Sequence, residues 1–145
     1  MRYQTSVVID ARPEVVWNVL ADVERWPEWT ATMRSVRWIG TDRLAVGARA
    51  QIAQPKLPGA VWEVTELDPG KSFTWVSRRT GVTVAATHVV GTDDAGWTGV
   101  ELTVQMTGAL AWLAGLFTAR LSRSYLALEA AGLKRRAESG DVPAA

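Results

Sequence analysis

Ala11-Arg12-Pro13-Glu14-Val15-Val16-Trp17-Asn18-Val19-Leu20-Ala21-Asp22, followed at once by Val23-Glu24-Arg25-Trp26-Pro27-Glu28-Trp29, is the stretch on which the fold of this chain turns. Pro13 suits a first helical position, where its missing amide would go unpaired in any case and its fixed φ is already helical. From there Val16, Trp17 and Leu20 share one face of a short amphipathic helix that stops near Asp22. Trp26-Pro27-Glu28-Trp29 cannot continue it, because proline restricts the residue before it and supplies no amide donor. Upstream, Arg2-Tyr3-Gln4-Thr5-Ser6-Val7-Val8-Ile9 is rich in β-branched residues and reads as a strand.

Downstream, as far as residue 108, short strand-like runs are separated by turn signals at Gly40-Thr41-Asp42, Pro58-Gly59, Asp68-Pro69-Gly70, Gly81 and Asp93-Asp94-Ala95-Gly96, the pattern of an antiparallel meander. In the last run Val100, Leu102, Val104 and Met106 alternate with Glu101, Thr103, Gln105 and Thr107, so one face is wet and the other covered. Residues 109 to about 137 supply the cover. No proline interrupts them, and Leu110, Leu113, Phe117, Leu121, Ser124 and Leu128 recur at helical spacing, which predicts one long helix across the sheet.

Further segments carry a resemblance over most of the chain: Gly47-Ala48-Arg49-Ala50-Gln51-Ile52-Ala53-Gln54-Pro55, then Val61-Trp62-Glu63-Val64-Thr65-Glu66-Leu67-Asp68-Pro69-Gly70, then Phe73-Thr74-Trp75. Thr80-Gly81-Val82, the strand carrying His88, and Glu129-Ala130-Ala131-Gly132-Leu133-Lys134 follow in order. With the N-terminal stretch, they resemble the START-like superfamily, also called SRPBCC, and within it the group labelled polyketide cyclase/dehydrase. That resemblance implies an α+β helix-grip fold, in which a curved antiparallel sheet wraps around a long C-terminal helix, with two short helices after the first strand. It also implies an apolar cavity between sheet and helix that holds a small hydrophobic molecule of polyketide, aromatic or lipid-like character. A single domain is expected over residues 1–138, with a fraying C-terminal tail over 139–145.

Composition narrows the function further. At 145 residues and 48% hydrophobic, the chain can bury one real core. Sixteen basic residues against fifteen acidic ones give a net charge of +1, which removes the simplest argument for a nucleic-acid or acidic-membrane partner. Without cysteine there is no disulfide, thiolate metal site or cysteine nucleophile, and a lone histidine makes zinc chemistry improbable; no metal or other cofactor is expected. Phosphate loops and the Gly-x-Ser-x-Gly elbow are missing too. No leader segment and no apolar run of roughly 18 residues is present, so a cytoplasmic protein without membrane insertion is the expectation.

Eight tryptophans in 145 residues is a high count, and indoles suit both core packing and an aromatic ligand. Trp26 and Trp29, beside the expected cavity mouth, and Trp75, on a central strand, are the ligand candidates, while Trp17 reads as structural. Strand parity groups His88 with Val82, Val84, Ala86 and Val90 on an apolar inward face. It is the one side chain that ordinarily titrates near neutrality, so two readings stand: a hydrogen-bonded core histidine, or a general acid/base. On the adjoining strand Phe73, Trp75, Ser77 and Arg79 share a face. Arg79 either ends at the pocket rim, where it could hold an oxyanion, or belongs to a solvated pair with Arg78. Gln54 and Arg49 face ligand or water.

Leu102, Val104 and Met106 are expected to line the cavity from the last strand, and Leu113, Phe117, Leu121 and Ser124 from the long helix, with Arg120 and Tyr125 flanking them. Glu63 and Glu101 fall on outward faces. The first turns of that helix, Leu110 to Phe117, are apolar on almost every side, more than one sheet can bury, which points to a partner subunit forming a homodimer, a lipid surface or a mobile lid. Binding of a small hydrophobic molecule is therefore the leading expectation. The alternative is a polyketide cyclase/dehydrase or aromatase-type enzyme, with His88 moving a proton and Arg79 or a tyrosine steadying the oxyanion.

Overall fold

The computed structural model describes residues 1–140. Strand β1 (Arg2–Ile9) leads into helix α1 (Pro13–Ala21) and a 3₁₀ helix (Val23–Glu28). Six strands follow: β2 (Ser35–Ile39), β3 (Arg49–Ala53), β4 (Ala60–Asp68), β5 (Ser72–Arg79), β6 (Val82–Thr92) and β7 (Thr98–Thr107). Helix α2 (Ala111–Glu138) closes the fold. All strand pairs are antiparallel, and the sheet order β1-β7-β6-β5-β4-β3-β2 is a meander whose first strand folds back beside the last. This is the helix-grip α+β architecture, with two short helical segments after β1 as the sequence predicts.

Local chemistry explains the boundaries. Pro13 opens α1 as expected; the Val15 and Val16 amides donate to the Arg12 carbonyl, and Val16, Val19 and Leu20 are buried. The break at Trp26-Pro27 becomes a 3₁₀ helix, not a loop, closed by the Trp29 and Thr30 amides donating to the Trp26 carbonyl. A bulge between Val64 and Glu66 interrupts the β4–β5 register, the kind of extra residue that bends and twists a strand so the sheet can wrap the helix.

Two close approaches fix where α2 lies. At its start, the Leu110 amide donates to the Gly81 carbonyl at 2.8 Å, and Gly108 holds a φ of 111° where a β-carbon would stand 2.5 Å from that same oxygen, so only glycine fits. Toward its end Gly132 passes the 3₁₀ segment so closely that a β-carbon would lie 2.0 Å from the Trp29 carbonyl oxygen. Leu126, Ala130, Leu133 and Ala137 are buried around it. The expected tail begins with Ser139, whose amide donates to the Arg135 carbonyl as a helix cap; residues 141–145 lie outside the described residues. No helix of the described residues is long and apolar enough to cross a membrane.

Candidate functional site

Inward side chains of β5, β6 and β7 stand in cross-strand rows. His88 lies between Phe73 and Leu102, Ala86 between Trp75 and Val104, and Val84 between Ser77 and Met106, while Arg79 pairs with Val82 at the open end. Large beside small is the rule in the middle row: Ala86 leaves space that neither Trp75 nor Val104 fills. Above the rows, under α2, is a cavity of about 370 Å³. Of the residues expected to line it, Trp26, Gln54, Trp75, Arg79, Val84 and Ala86 do so, as do His88, Leu102, Val104, Met106 and Leu121.

The closed end is aromatic. Trp26, fully buried, donates its indole N–H to the Leu20 carbonyl at 3.0 Å, and its ring centroid lies 5.4 Å from Trp29, 5.3 Å from Trp75 and 5.4 Å from His88. His88 stacks on Phe73 with centroids 4.2 Å apart and planes 13° from parallel. Its Nδ1 is 3.3 Å from the Phe73 carbonyl oxygen; a carbonyl only accepts, so Nδ1 carries the proton and Nε2 is left as an acceptor. Burial pushes the imidazole pKa down to about 4, against a smaller upward pull from that hydrogen bond, so the ring is neutral at pH 7.

Arg79 is at the rim, its Nη2 donating to the Gly59 carbonyl at 2.9 Å. It stands six residues along β5 from Phe73, the partner of His88, which at about 3.4 Å per residue separates the two positions by roughly 20 Å. An acid/base at His88 and an oxyanion clamp at Arg79 therefore serve opposite ends of the cavity.

The expected helix stripe is out of phase by one residue. Leu113 and Phe117 face solvent, Phe117 at 80% exposure, and Arg120 and Ser124 are exposed as well; none of the four borders the cavity. Its helical wall is Ala114, Thr118, Ser122, Tyr125 and Glu129, with Leu121 and Leu126 beside them. The large apolar residues fixed the reading of the sequence, whereas a helix spanning a void presents small and polar ones. Trp29 is a second correction. It is buried against Trp26 beneath Gly132 and contributes instead to a separate groove bordered by Trp17, Trp38 and several charged residues.

Unforeseen lining residues include Trp62, whose ring lies 6.0 Å from Trp75, and Glu129. The Tyr125 hydroxyl donates to the Pro55 carbonyl, tying α2 to the turn after β3, where Lys56 holds a φ of 66°. Glu129 is half-buried and accepts from the Thr32 hydroxyl at 3.3 Å. Loss of water lifts its carboxyl from the usual 4.5 to about 7, the Thr32 bond opposing that rise. The spacing 118, 122, 125, 129 is a clean helical stripe, so its polar members could have been followed in the sequence.

Sheet, gripped helix and the cavity between them define the class of helix-grip proteins. Within that class, the family model described as polyketide cyclase / dehydrase and lipid transport matches residues 1–138, and the chain belongs to that family. No curated protein matches its sequence. Among solved structures it is similar to a hypothetical protein of Helicobacter pylori at a TM-score of 0.81 and 14% identity, over 94% of this chain and 88% of that one. The Aha1 dimer of Colwellia psychrerythraea aligns at a TM-score of 0.71 and 19% identity, over 97% and 98% of the two chains. The di-domain ARO/CYC BexL from the BE-7585A biosynthetic pathway aligns at 0.70 and 20% identity, over 99% of this chain but 48% of its own. At such identities the likeness is one of fold.

Proposed function

We propose that the protein binds a small hydrophobic molecule, polyketide, aromatic or lipid-like, between the sheet and α2, and acts in the cytoplasm. The observation that carries this reading is the space of about 370 Å³ walled by Trp26, Trp62, Trp75, Val84, Val104 and Met106, with a handful of polar groups at its margins. Ligand sites have this character: apolar walls for affinity, a few polar atoms for orientation. The family description supports the same class of ligand.

The cyclase reading has less behind it. His88 offers a free acceptor nitrogen to the cavity, but a base held near pKa 4 is weak at neutral pH, and Arg79 stands at the far rim.

Native mass spectrometry of freshly purified protein tests the binding reading, together with solvent extraction of whatever is released. An adduct lost on denaturation is the expected result. Thr118→Trp, which places an indole in the space beside Met106, should abolish the adduct while the protein still unfolds cooperatively. A bare mass, with no saturable uptake of naphthalene-sized hydrocarbons in equilibrium dialysis, would sink the proposal.

A further inference from the structure

Four ionisable side chains border the cavity: Arg79, His88, Tyr125 and Glu129. Three have one polar atom each engaged by the protein's own backbone, and the only acceptor nitrogen these leave toward the cavity is the neutral, weakly basic His88 Nε2. Arg79 donates to Gly59, the Tyr125 hydroxyl to Pro55, and the protonated His88 nitrogen faces Phe73. Glu129 differs, because its protein partner is a side chain that occupies one oxygen only.

That engagement is directional. The Thr32 amide donates to the Thr30 hydroxyl oxygen at 3.3 Å, the two threonine hydroxyls are 2.9 Å apart, and the Thr32 hydroxyl lies 3.3 Å from Glu129 Oε1. Since a carboxylate can only accept, the Thr32 proton goes to Glu129, and the Thr30 proton goes to Thr32. Both threonines are buried, at 2% and 0% exposure, so the relay is held by packing. Among the described residues Thr32 is the one hydrogen-bond partner of Glu129, and no sealed side-chain oxygen lacks a partner. The second oxygen, Oε2, is therefore not sealed, and Glu129 borders the cavity.

Resting on the ligand-binding reading above, we infer that Glu129 is the polar anchor of the cavity and selects an apolar ligand bearing a hydrogen-bond donor, a hydroxyl or an ammonium, in preference to one bearing a carboxylate. An acceptor oxygen pre-positioned by Thr32 and bordered by apolar walls favours a donor, because an apolar ligand that covered it without one would strip its water and leave it unmet. A ligand carboxylate at the same place would set two acceptors of like charge against each other. The raised carboxyl pKa agrees with this setting, since burial costs the charged form more than Thr32 returns.

Equilibrium dialysis at about pH 8.5, where Glu129 is ionised and accepts only, tests this with four ring-matched probes: naphthalene, 2-naphthol, 2-naphthylmethylamine and 2-naphthoate. The naphthol or the ammonium should bind roughly tenfold more tightly than the bare hydrocarbon, the worth of one hydrogen bond to a charged group, and naphthoate more weakly than either. Whichever of the two donors leads identifies the ligand's group as neutral or charged. Glu129→Gln should reverse the order. Its amide oxygen still accepts from Thr32, which keeps the fold, while its NH2 turns a donor toward the ligand, so naphthoate should gain and naphthol lose. Binding of both naphthol and the ammonium no tighter than naphthalene by the native protein, or an unchanged order in the variant, overturns the inference and leaves the binding reading intact. Failure of naphthalene and all three derivatives to bind overturns both.

Discussion

Around Gly132, α2 lies so close to the 3₁₀ segment that a β-carbon would sit 2.0 Å from the Trp29 carbonyl oxygen, whereas around Trp112, Leu116 and Phe117 the same helix leaves large apolar side chains 63%, 66% and 80% exposed. The last half is also laced to its surroundings. Leu133 is fully buried, and Arg136 pairs with Glu28 at 2.7 Å. The first half is held chiefly by the Leu110–Gly81 hydrogen bond and by Met1, whose sulfur rests over Gly115. A helix pinned hard at one end and lightly at the other can stand off the sheet in between. The cavity occupies that stand-off, and Glu129 sits where the tight half begins.

The two glycines of α2 offer the sharpest way to break this contrast. In Gly132→Ala the new methyl meets backbone that cannot swing aside, so the helix or the Trp29 turn must move; a loss on the order of 3 kcal/mol is expected, read from urea unfolding. In Gly115→Ala the obstacle is the flexible end of Met1, which can rotate away. Helix propensity should then dominate, giving a gain of up to about 1 kcal/mol. Equal losses at both sites would show that the first half is packed as firmly as the second.

Acid titration sharpens the comparison at the cavity itself. An unfolded histidine takes up its proton near 6.5, while His88 does so only near 4, so its stabilising effect is complete above 6.5 and is lost as pH falls toward 4. Glu129 runs the other way. Folded, it binds a proton near 7 and, unfolded, near 4.5, so its effect is complete below 4.5 and is lost as pH rises through 7. Each amounts to about 3 kcal/mol at most, and between pH 7.5 and 5 the two largely cancel. Relative to the native protein, Glu129→Gln should lose stability on acidification across that interval and His88→Phe should gain it, each by about 2 kcal/mol in urea unfolding at the two pH values. Parallel pH profiles for all three proteins would mean that neither group is desolvated as described.

Phe117→Ser should have the smallest effect. A side chain that is four-fifths exposed contributes little to the folded monomer, and a change within about 0.5 kcal/mol is expected. Size-exclusion chromatography of the same variant reports whether a second copy covers this end of α2: one elution volume for native and variant protein is the outcome if it does not.

The sheet was legible because its signals are local. Turn residues and strict alternation in Val100, Leu102, Val104 and Met106 set the strands, and the same parity put Trp75, Ala86 and His88 on the cavity side. The helix wall was not. Helical spacing of large apolar residues points to Leu113 and Phe117, but the protein leaves those exposed and turns Ala114, Thr118 and Ser122 inward, because a cavity needs small residues on its roof. Trp29 was misplaced for a related reason. Its proximity to Gly132 is a contact across more than a hundred residues, and nothing in Trp26-Pro27-Glu28-Trp29 says which aromatic ring faces the void and which the helix.

The fastened end of α2 also guards the sheet. β1 is an edge strand, paired on one side only with β7, and an open edge is a template for another chain. Lys134 donates to the Val8 carbonyl at 2.8 Å, and Glu138, itself paired with Lys134 at 2.6 Å, accepts from the Asp10 amide at 2.8 Å. Two backbone groups that a foreign strand would need are thus already occupied by charged side chains. Unwinding the last turn of the helix would bare them together, so the end of α2 beyond the cavity wall doubles as a cover for the edge of the sheet through which one copy could pair with another.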